Sequence, residues 1–361
     1  MTTYWILFFI SASFALMAQK RVPMLGENLY STKLYSEWIF FIFILTLLIG
    51  FRFEVGGDWY IYQEHLDEAI DSSLSDALTR YGDPGYYFLN WISGQLGFGV
   101  YGINLICGLI FSIGLSVFCR SLPRPWLALT VAIPYLFLVV ALGYSRQGVA
   151  IGFGMLSLVA FGRKEMRRYI FWVFCAAAFH KSAVLLLPIA LIARTKNKLL
   201  TVLGFLILGI GGFFLYLDQY IDSLYQSYIT GQSQSSGAFI RLAMNAVPAA
   251  IYLTFSHRFR FSQNEKEIWK WFSILSLVMI GLFFLTSAST ALDRIALYMI
   301  PLQLVIFSRL PDVFGNDSFS KTVIFTGVLF YYAFVMFIWL NFAYHSYMWK
   351  PYKFFPIEIL L

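Results

Sequence analysis

The sequence predicts an all-α protein that crosses a membrane many times. Three observations support this class: 59% of the residues are hydrophobic, only 12% are charged, and apolar runs recur along the whole length of 361 residues. Soluble domains carry about 25% charged residues. A run of about 20 apolar residues is long enough to cross a bilayer as a helix, in which every backbone polar group is satisfied within the segment. We therefore expect a single integral membrane domain, residues 1–361.

The apolar runs predict about 12 transmembrane helices, several of them short. Their expected positions are 4–18, 38–51, 100–118, 126–142, 147–161, 169–180, 183–193, 198–216, 239–256, 269–286, 292–308 and 321–341. The first run has no preceding charge and is followed by Lys20 and Arg21, the reverse of a signal peptide, so we expect its N-terminus outside. The segment Pro84 to Phe98 contains four glycines or prolines and is expected to be interfacial or re-entrant.

The distribution of positive charge supports this topology. Lys and Arg number 26 against 19 Asp and Glu, and 18 of the 26 fall in the loops assigned to the cytoplasm. The excess therefore reports orientation, and no nucleic-acid partner is expected. Eight cations remain on the outer side, where topology does not explain them: Arg52, Arg80, Arg146, Lys181, Arg241, Arg294, Lys350 and Lys353.

Two outer regions are long enough to have a function. Residues 52–98 begin with a strongly acidic loop, in which the stretch from Asp67 to Leu78 has the apolar spacing of a surface helix, and end with the re-entrant segment. Residues 217–238 are rich in tyrosine and then in small polar residues, which is typical of a flexible lid. The aromatic tail from Phe342 is expected at the membrane interface, apart from any site.

Several kinds of chemistry have no support in the sequence. The three cysteines lie in or beside apolar runs without a CxxC or Cys/His cluster, so neither a disulfide framework nor a metal site is expected. The sequence contains no Walker, HExxH or GxSxG motif and no GxGxxG motif that follows a predicted strand, and we expect no cofactor.

Cations on one side of a membrane suit a phosphorylated ligand. Arg146 is a single charge within the 29 residues from Pro134 to Gly162, and a charge in the bilayer costs about 2.5–3.5 kcal/mol on insertion scales. Guanidinium groups match phosphate oxygens bidentately. The candidate pyrophosphate ligands are Arg146, Arg294, Arg52 and Lys181. The alternative is that each cation pairs with a neighbouring acid, for instance Arg294 with Asp293 or Arg52 with Glu54.

Five motifs then resemble a known family. They are RFEVGGDWYIY (52–62), DPGY (83–86), SRQGVA (145–150), FHKSAVLLLP (179–188) and DRIALY (293–298). In this order they resemble the EpsG-type polysaccharide polymerases, which are similar to the Wzy polymerases of O-antigen, lipopolysaccharide and exopolysaccharide synthesis. Trp59 and Ser145 depart from the family's usual residues, and neither removes a charged group.

The resemblance implies a metal-independent glycosyltransferase with a GT-C-like fold in the bacterial inner membrane, its site facing the periplasm or outer side. Such an enzyme transfers a growing glycan from undecaprenyl pyrophosphate to the acceptor sugar of another lipid-linked repeat unit. The implied partners are undecaprenyl-pyrophosphate-linked oligosaccharides and a chain-length regulator in the membrane.

Three roles follow for this chemistry. Arg146 and the other cations would stabilise the departing pyrophosphate. The general base is Asp58, which follows two glycines, or alternatively His180. A turn or N-cap role for Asp58 and a structural hydrogen bond for His180 remain open. The expected sugar-binding aromatics are Trp59, Tyr60, Tyr62 and Tyr298.

Two other function classes also remain open. A flippase or transporter of lipid-linked sugar would need outer cations and a cavity, but also comparable charges on the cytoplasmic half. A membrane O-acyltransferase would depend on an intramembrane histidine, a part that His180 could play.

Overall fold

The computed structural model describes residues 1–19, 35–79, 83–195, 197, 237–285 and 289–360. These ranges are helical apart from turns, loops and one isolated antiparallel bridge. Within them, four helices are long and apolar enough to cross a membrane: Gly99–Arg120, Ala238–Arg258, Leu292–Phe314 and Ser318–Phe342. Three shorter apolar helices are Thr2–Ala18, Ser36–Gly50 and Pro125–Ala141. The all-helical membrane class is confirmed. The predicted span 198–216 and nearly all of the loop 217–238 lie outside the described residues, and the number of 12 spans stays a prediction.

The described chain forms two compact units. The first comprises Met1–Ala160, Met166–Ala183 and Phe307–Leu361, and the second comprises Phe161–Glu165 and Val184–Ile306. The helices that belong wholly or mainly to the first unit are α1 Thr2–Ala18, α2 Ser36–Gly50, α3 Trp59–Ile70, α4 Leu74–Thr79, α5 Pro84–Gln95, α6 Gly99–Arg120, α7 Pro125–Ala132, α8 Ser145–Gly162 and α9 Met166–Phe179. The helices of the second unit are α10 Leu186–Arg194, α11 Ala238–Phe255, α12 Gln263–Phe283 and α13 Ser289–Ala296. The chain then returns to the first unit, which contains most of α14 Pro301–Phe314 and all of α15 Ser318–Phe342.

The chain reverses direction just before α8. A π-helical segment, Ile133–Ala141, continues α7, and α8 begins at Ser145. A Cβ placed on Gly148 would lie 3.3 Å from the Cα of Ala141, whereas seven residues of continuous helix advance by about 10 Å. The two segments therefore meet at a sharp turn, which makes them a helix hairpin, and Arg146 lies in the first turn of its second arm.

The loop of residues 51–58, here called the Arg52 loop, is fixed by residues 346–358, here called the tail segment. Three backbone hydrogen bonds join them: Phe53 N to Lys353 O (3.1 Å), Phe355 N to Phe51 O (2.8 Å) and Gly56 N to Met348 O (3.0 Å). The Trp349 indole also packs on the hairpin turn, where a Cβ on Gly143 would approach it to 2.4 Å. The expectation that the tail lies apart from the site is therefore wrong. Unpaired N–H and C=O groups in the Arg52 loop need partners, and the tail segment supplies them.

The acidic region contains two helices instead of the single one expected over residues 67–78. α3 begins earlier, at Trp59, and ends at Ile70, and α4 starts at Leu74. Ser73 accounts for the break, because its Oγ accepts a hydrogen bond from the Asp76 amide at 3.2 Å and caps the new helix.

Buried and half-buried polar pairs join helices of the second unit. Arg241 donates to both carboxylate oxygens of Asp293, with Nη2 2.6 Å from Oδ2. Asn245 donates to the carbonyl of Ala296 at 2.7 Å and accepts from Gln303 at 2.7 Å. These bonds tie α11 to α13 and to the start of α14.

Candidate functional site

A polar face of α3 meets the start of α5 in the first unit. Asp58, Tyr62 and His65 follow one another at helical spacing, so they share this face. The Tyr62 hydroxyl donates to Asp58 Oδ2 at 3.3 Å, and His65 Nδ1 lies 3.3 Å from the Tyr87 hydroxyl. The rings of Tyr62 and Tyr86 lie 5.6 Å apart. Two candidate proton-transferring groups, a carboxylate and an imidazole, therefore lie on one side of the same helix.

Asp83 connects three separate parts of the chain. Its Oδ2 accepts a hydrogen bond from Arg146 Nη1 at 3.1 Å, and its Oδ1 accepts one from the backbone amide of Lys181 at 3.2 Å. The Arg146 guanidinium also lies over the Tyr86 ring, 5.6 Å from its centroid. The start of α5, the start of α8 and the turn after α9 thus converge on one carboxylate.

Burial governs the protonation of this cluster. It raises the pKa of the Asp83 carboxyl above its ordinary value, and the Arg146 guanidinium and the Lys181 amide only partly offset the effect. Burial, together with the Arg146 guanidinium, lowers the pKa of His65, so its imidazole is neutral at pH 7. Burial and the Asp58 carboxylate raise the pKa of Tyr62, whose hydroxyl stays protonated.

Arg52 and Arg146 differ in how many of their guanidinium nitrogens donate hydrogen bonds to described residues. Arg52 is 0% exposed, and each of its three nitrogens donates a hydrogen bond inside the protein. The acceptors are the Val55 carbonyl (3.1 Å), the Ile49 carbonyl (3.1 Å) and Ser145 Oγ (2.7 Å). The side chain of Arg146 is 27% exposed, and within the described residues only its Nη1 has a hydrogen-bond acceptor. Arg146 therefore keeps N–H donors that a ligand can reach. Arg52 instead holds Ser145, the residue before Arg146, in place.

The remaining predicted cations have different surroundings in their own units. Lys181 contributes its backbone amide to the cluster while its side chain is exposed. Arg294 is exposed on α13 in the second unit. The Asp293 carboxylate accepts hydrogen bonds from Arg241, a cation to which the sequence assigned no role. The alternative pairing of Arg52 with Glu54 is wrong, because Glu54 pairs with Lys353 at 2.5 Å.

The two base candidates occupy different surroundings. Asp58 stands at the N-cap position of α3, but its side chain makes no capping hydrogen bond there. His180 directly follows α9, and its Nδ1 lies 2.6 Å from the Ser182 hydroxyl. His180 is also next to Lys181, whose amide contacts Asp83. His180 therefore adjoins the Asp83 cluster through Lys181, whereas Asp58 is linked to it through Tyr62, whose ring lies 5.6 Å from that of Tyr86.

Only one of the four predicted sugar-binding aromatics presents its ring to solvent. Tyr60 is 61% exposed, and its hydroxyl donates to Glu54 at 3.3 Å. Trp59 and Tyr62 are buried in the first unit, and Tyr298 is buried in the second. Trp59 packs in a core with Tyr62, and the Arg52 guanidinium lies 5.7 Å from its ring centroid.

Sequence reasoning missed two members of the site. Asp83 begins the DPGY motif, and the motif alone predicts no role for it, although an acid directly before a proline that opens a helix is a visible signal. His65 lies among acidic residues and belongs to none of the five motifs, but its helical spacing from Asp58 and Tyr62 could have found it.

The fold and this cluster define a helical membrane protein with an arginine and carboxylate site at a helix hairpin. The sequence model of the EpsG family matches residues 37–354, and the chain belongs to the EpsG family. This family is associated with polysaccharide-polymerase activity of a glycosyltransferase type. The searches of curated proteins and of solved structures returned no match.

Proposed function

We propose that this protein polymerises lipid-linked oligosaccharide repeat units. It transfers the growing glycan from undecaprenyl pyrophosphate to the acceptor sugar of another lipid-linked repeat unit. The observation that supports this most directly is the guanidinium of Arg146, which bonds Asp83 through one nitrogen and has no other hydrogen-bond acceptor within the described ranges. A fixed but incompletely bonded guanidinium suits an oxyanion that gains charge during the reaction.

The reaction follows from these groups. The acceptor hydroxyl oxygen attacks the anomeric carbon of the growing glycan, and the bond from that carbon to the pyrophosphate oxygen breaks. The leaving pyrophosphate keeps the electron pair, and Arg146 stabilises its charge. The hydroxyl proton passes to the base, without a metal ion.

We favour Asp58 as the base and keep His180 as the alternative. Asp58 accepts from the Tyr62 hydroxyl and lies on the polar face of α3 with His65. Asp58→Asn and His180→Gln separate the two, because the true base should lose far more activity on neutral, near-isosteric replacement. A carboxylate base typically contributes about 10²–10⁴-fold to the rate.

The proposal assigns roles to the other candidates. Arg52 positions Ser145 and thereby Arg146, while the exposed ammonium of Lys181 and the exposed guanidinium of Arg294 bind pyrophosphate or lipid phosphate. Tyr60 offers a face for a sugar ring, Trp59 and Tyr62 support the fold around the site, and Tyr298 supports the fold of the second unit.

We also propose the topology: 12 spans in the bacterial inner membrane, a GT-C-like arrangement, and the Asp83 cluster on the outer side. Cysteine substitution of Asp67 and of Arg167, both exposed, tests the orientation. A membrane-impermeant thiol reagent should label the Asp67 position in intact cells and the Arg167 position only after permeabilisation. The opposite pattern would reverse the topology.

The decisive experiment is a gel of surface glycan from a deletion strain complemented with each variant. Arg146→Ala should abolish the length ladder and leave single repeat units, and Arg146→Lys should restore part of it, because an ammonium cannot make the forked contact. Arg167→Ala, an exposed arginine on α9, is the matched control and should give the wild-type ladder. A wild-type ladder from Arg146→Ala at equal membrane abundance would refute the assignment. Loss of all glycan on deletion would indicate a flippase, and an intact ladder lacking an acyl group would indicate an O-acyltransferase.

A further inference from the structure

Asp83 is placed at a helix start but does not act as a helix cap. It holds the N-cap position of α5, and its side chain makes no capping hydrogen bond. Pro84 follows at the first helical position, where its missing N–H removes one donor that a cap would serve. The backbone carbonyl of Asp83 accepts from the amides of Tyr86 and Tyr87. The carboxylate is therefore available for contacts outside α5, and both of its oxygens make them.

These two contacts fix the Arg146 guanidinium and the turn that contains His180 and Lys181. The carboxylate, 9% exposed, bonds the Arg146 guanidinium through one oxygen and the Lys181 amide through the other. The second bond fixes the turn that begins the 3₁₀ segment Lys181–Leu185, directly after His180. The two donors partly offset the cost of burying this carboxylate, and its loss would remove the ion-pair partner of Arg146.

The first turn of α5 constrains the Arg146 guanidinium in two directions. Asp83 holds one edge by the 3.1 Å hydrogen bond, and the ring of Tyr86 lies against one face at 5.6 Å. An edge contact and a face contact together fix both the position and the tilt of a planar group. The donors that remain open therefore point in one defined direction.

We propose that Asp83 is a positioning residue of the leaving-group site, which holds the Arg146 guanidinium in line with the pyrophosphate and sets the turn that carries His180 and Lys181. This inference rests on the proposed function, since it takes Arg146 as the group that meets the leaving pyrophosphate. Asp83 itself does not touch the substrate in this role. Its contribution is the orientation of a donor, and errors of about 1 Å in such an orientation can reduce a rate by about 100-fold.

Asp83→Asn is the sharpest substitution, because asparagine keeps the shape and is an equally good N-cap residue. We expect it to reduce glycan polymerisation by about 10- to 100-fold at equal membrane abundance, with partial recovery in Asp83→Glu. Asp67→Asn removes the same charge from an exposed position on the neighbouring helix α3 and should leave the ladder unchanged.

A double-mutant cycle separates positioning from general destabilisation. If Asp83 acts through Arg146, Asp83→Asn should have little further effect, less than about 3-fold, in the Arg146→Lys background. Effects that multiply in the double variant, or a wild-type ladder from Asp83→Asn, would overturn the inference. If Arg146→Ala abolishes the ladder while Asp83→Asn does not, only this inference fails. If Arg146→Ala itself gives a wild-type ladder, the proposed function of the site fails as well.

Discussion

Gly56 and Gly57 form a matched pair for testing how the Arg52 loop is held. Gly56 has φ of +101°, and a Cβ there would lie 2.5 Å from the Leu142 carbonyl oxygen. Gly57 is not among the glycines with positive φ, and the nearest atom to its Cβ would be Met348 Sδ at 3.6 Å, an ordinary contact. Alanine should therefore be excluded at the first position and accepted at the second.

The expected cost of Gly56→Ala has two parts. Forcing a residue with a side chain into a sparsely populated backbone region costs about 1–3 kcal/mol. Overpacking against the Leu142 carbonyl adds about 1–3 kcal/mol. Even the lower sum, about 2 kcal/mol, changes the ratio of folded to unfolded protein about 30-fold. Gly57→Ala should instead stabilise by about 0.4–1 kcal/mol, because alanine restricts the unfolded chain.

The assay is the denaturation midpoint of each purified variant in detergent, read together with the glycan ladder at equal membrane abundance. Gly56→Ala should lower the midpoint and shorten the ladder, since the loop carries Arg52 and Asp58. Gly57→Ala should do neither. Equal midpoints for the two variants would refute the account of the loop.

Three further predictions concern the interior. Arg52→Lys leaves one nitrogen for three buried acceptors and should cost at least about 2 kcal/mol, seen as a lower denaturation midpoint; an unchanged midpoint would contradict the buried network. Gly114→Ala puts a Cβ 2.3 Å from the Gly152 carbonyl oxygen and should cost about 1–3 kcal/mol in thermal unfolding. Gly281→Ala should not destabilise, because its Cβ would meet no described atom within 4 Å beyond its chain neighbours and the backbone of its own helix. Burial raises the pKa of the Asp83 carboxyl in the folded protein. As the pH rises, the unfolded chain therefore loses the Asp83 proton at a lower pH than the folded protein does. The free energy of unfolding should fall from pH 3.8 up through the folded pKa. Asp83→Asn should remove that slope from a plot of thermal midpoint against pH, and an identical slope in both proteins would argue against it.

Hydropathy predicted the helices but not the contacts between them. The hairpin before Arg146 could be expected, because a charge between two apolar runs marks a turn at the membrane surface. The ion pair between Arg146 and Asp83 joins residues 63 positions apart, and no local periodicity reports such a distance. The helix break at Ser73 depends on a local capping hydrogen bond. It was missed because the apolar spacing continues across that cap.

The exposure of aromatic and basic side chains was the least predictable property of the site. Trp59, Tyr60 and Tyr62 follow one another in a single motif, yet only Tyr60 reaches solvent. Arg52 and Arg146 have the same chemistry in the sequence, yet one is saturated by backbone carbonyls and a hydroxyl. In a chain this apolar, the hydrophobic pattern does not distinguish a helix face toward lipid from a face toward protein. The exposure of these aromatic and basic side chains therefore depends on packing that the sequence pattern does not show.

The pairing of the Arg52 loop with the tail segment imposes an order on biosynthesis. Glu54 and Lys353 are separated by 299 positions, so the loop leaves the ribosome and enters the membrane long before its partner exists. During that interval the amides of Phe53 and Gly56 lack the acceptors that hold them in the finished protein. The Arg52 loop therefore gains these hydrogen bonds only when residues 346–358 have been made and delivered to it, so a partly made chain lacks a finished loop.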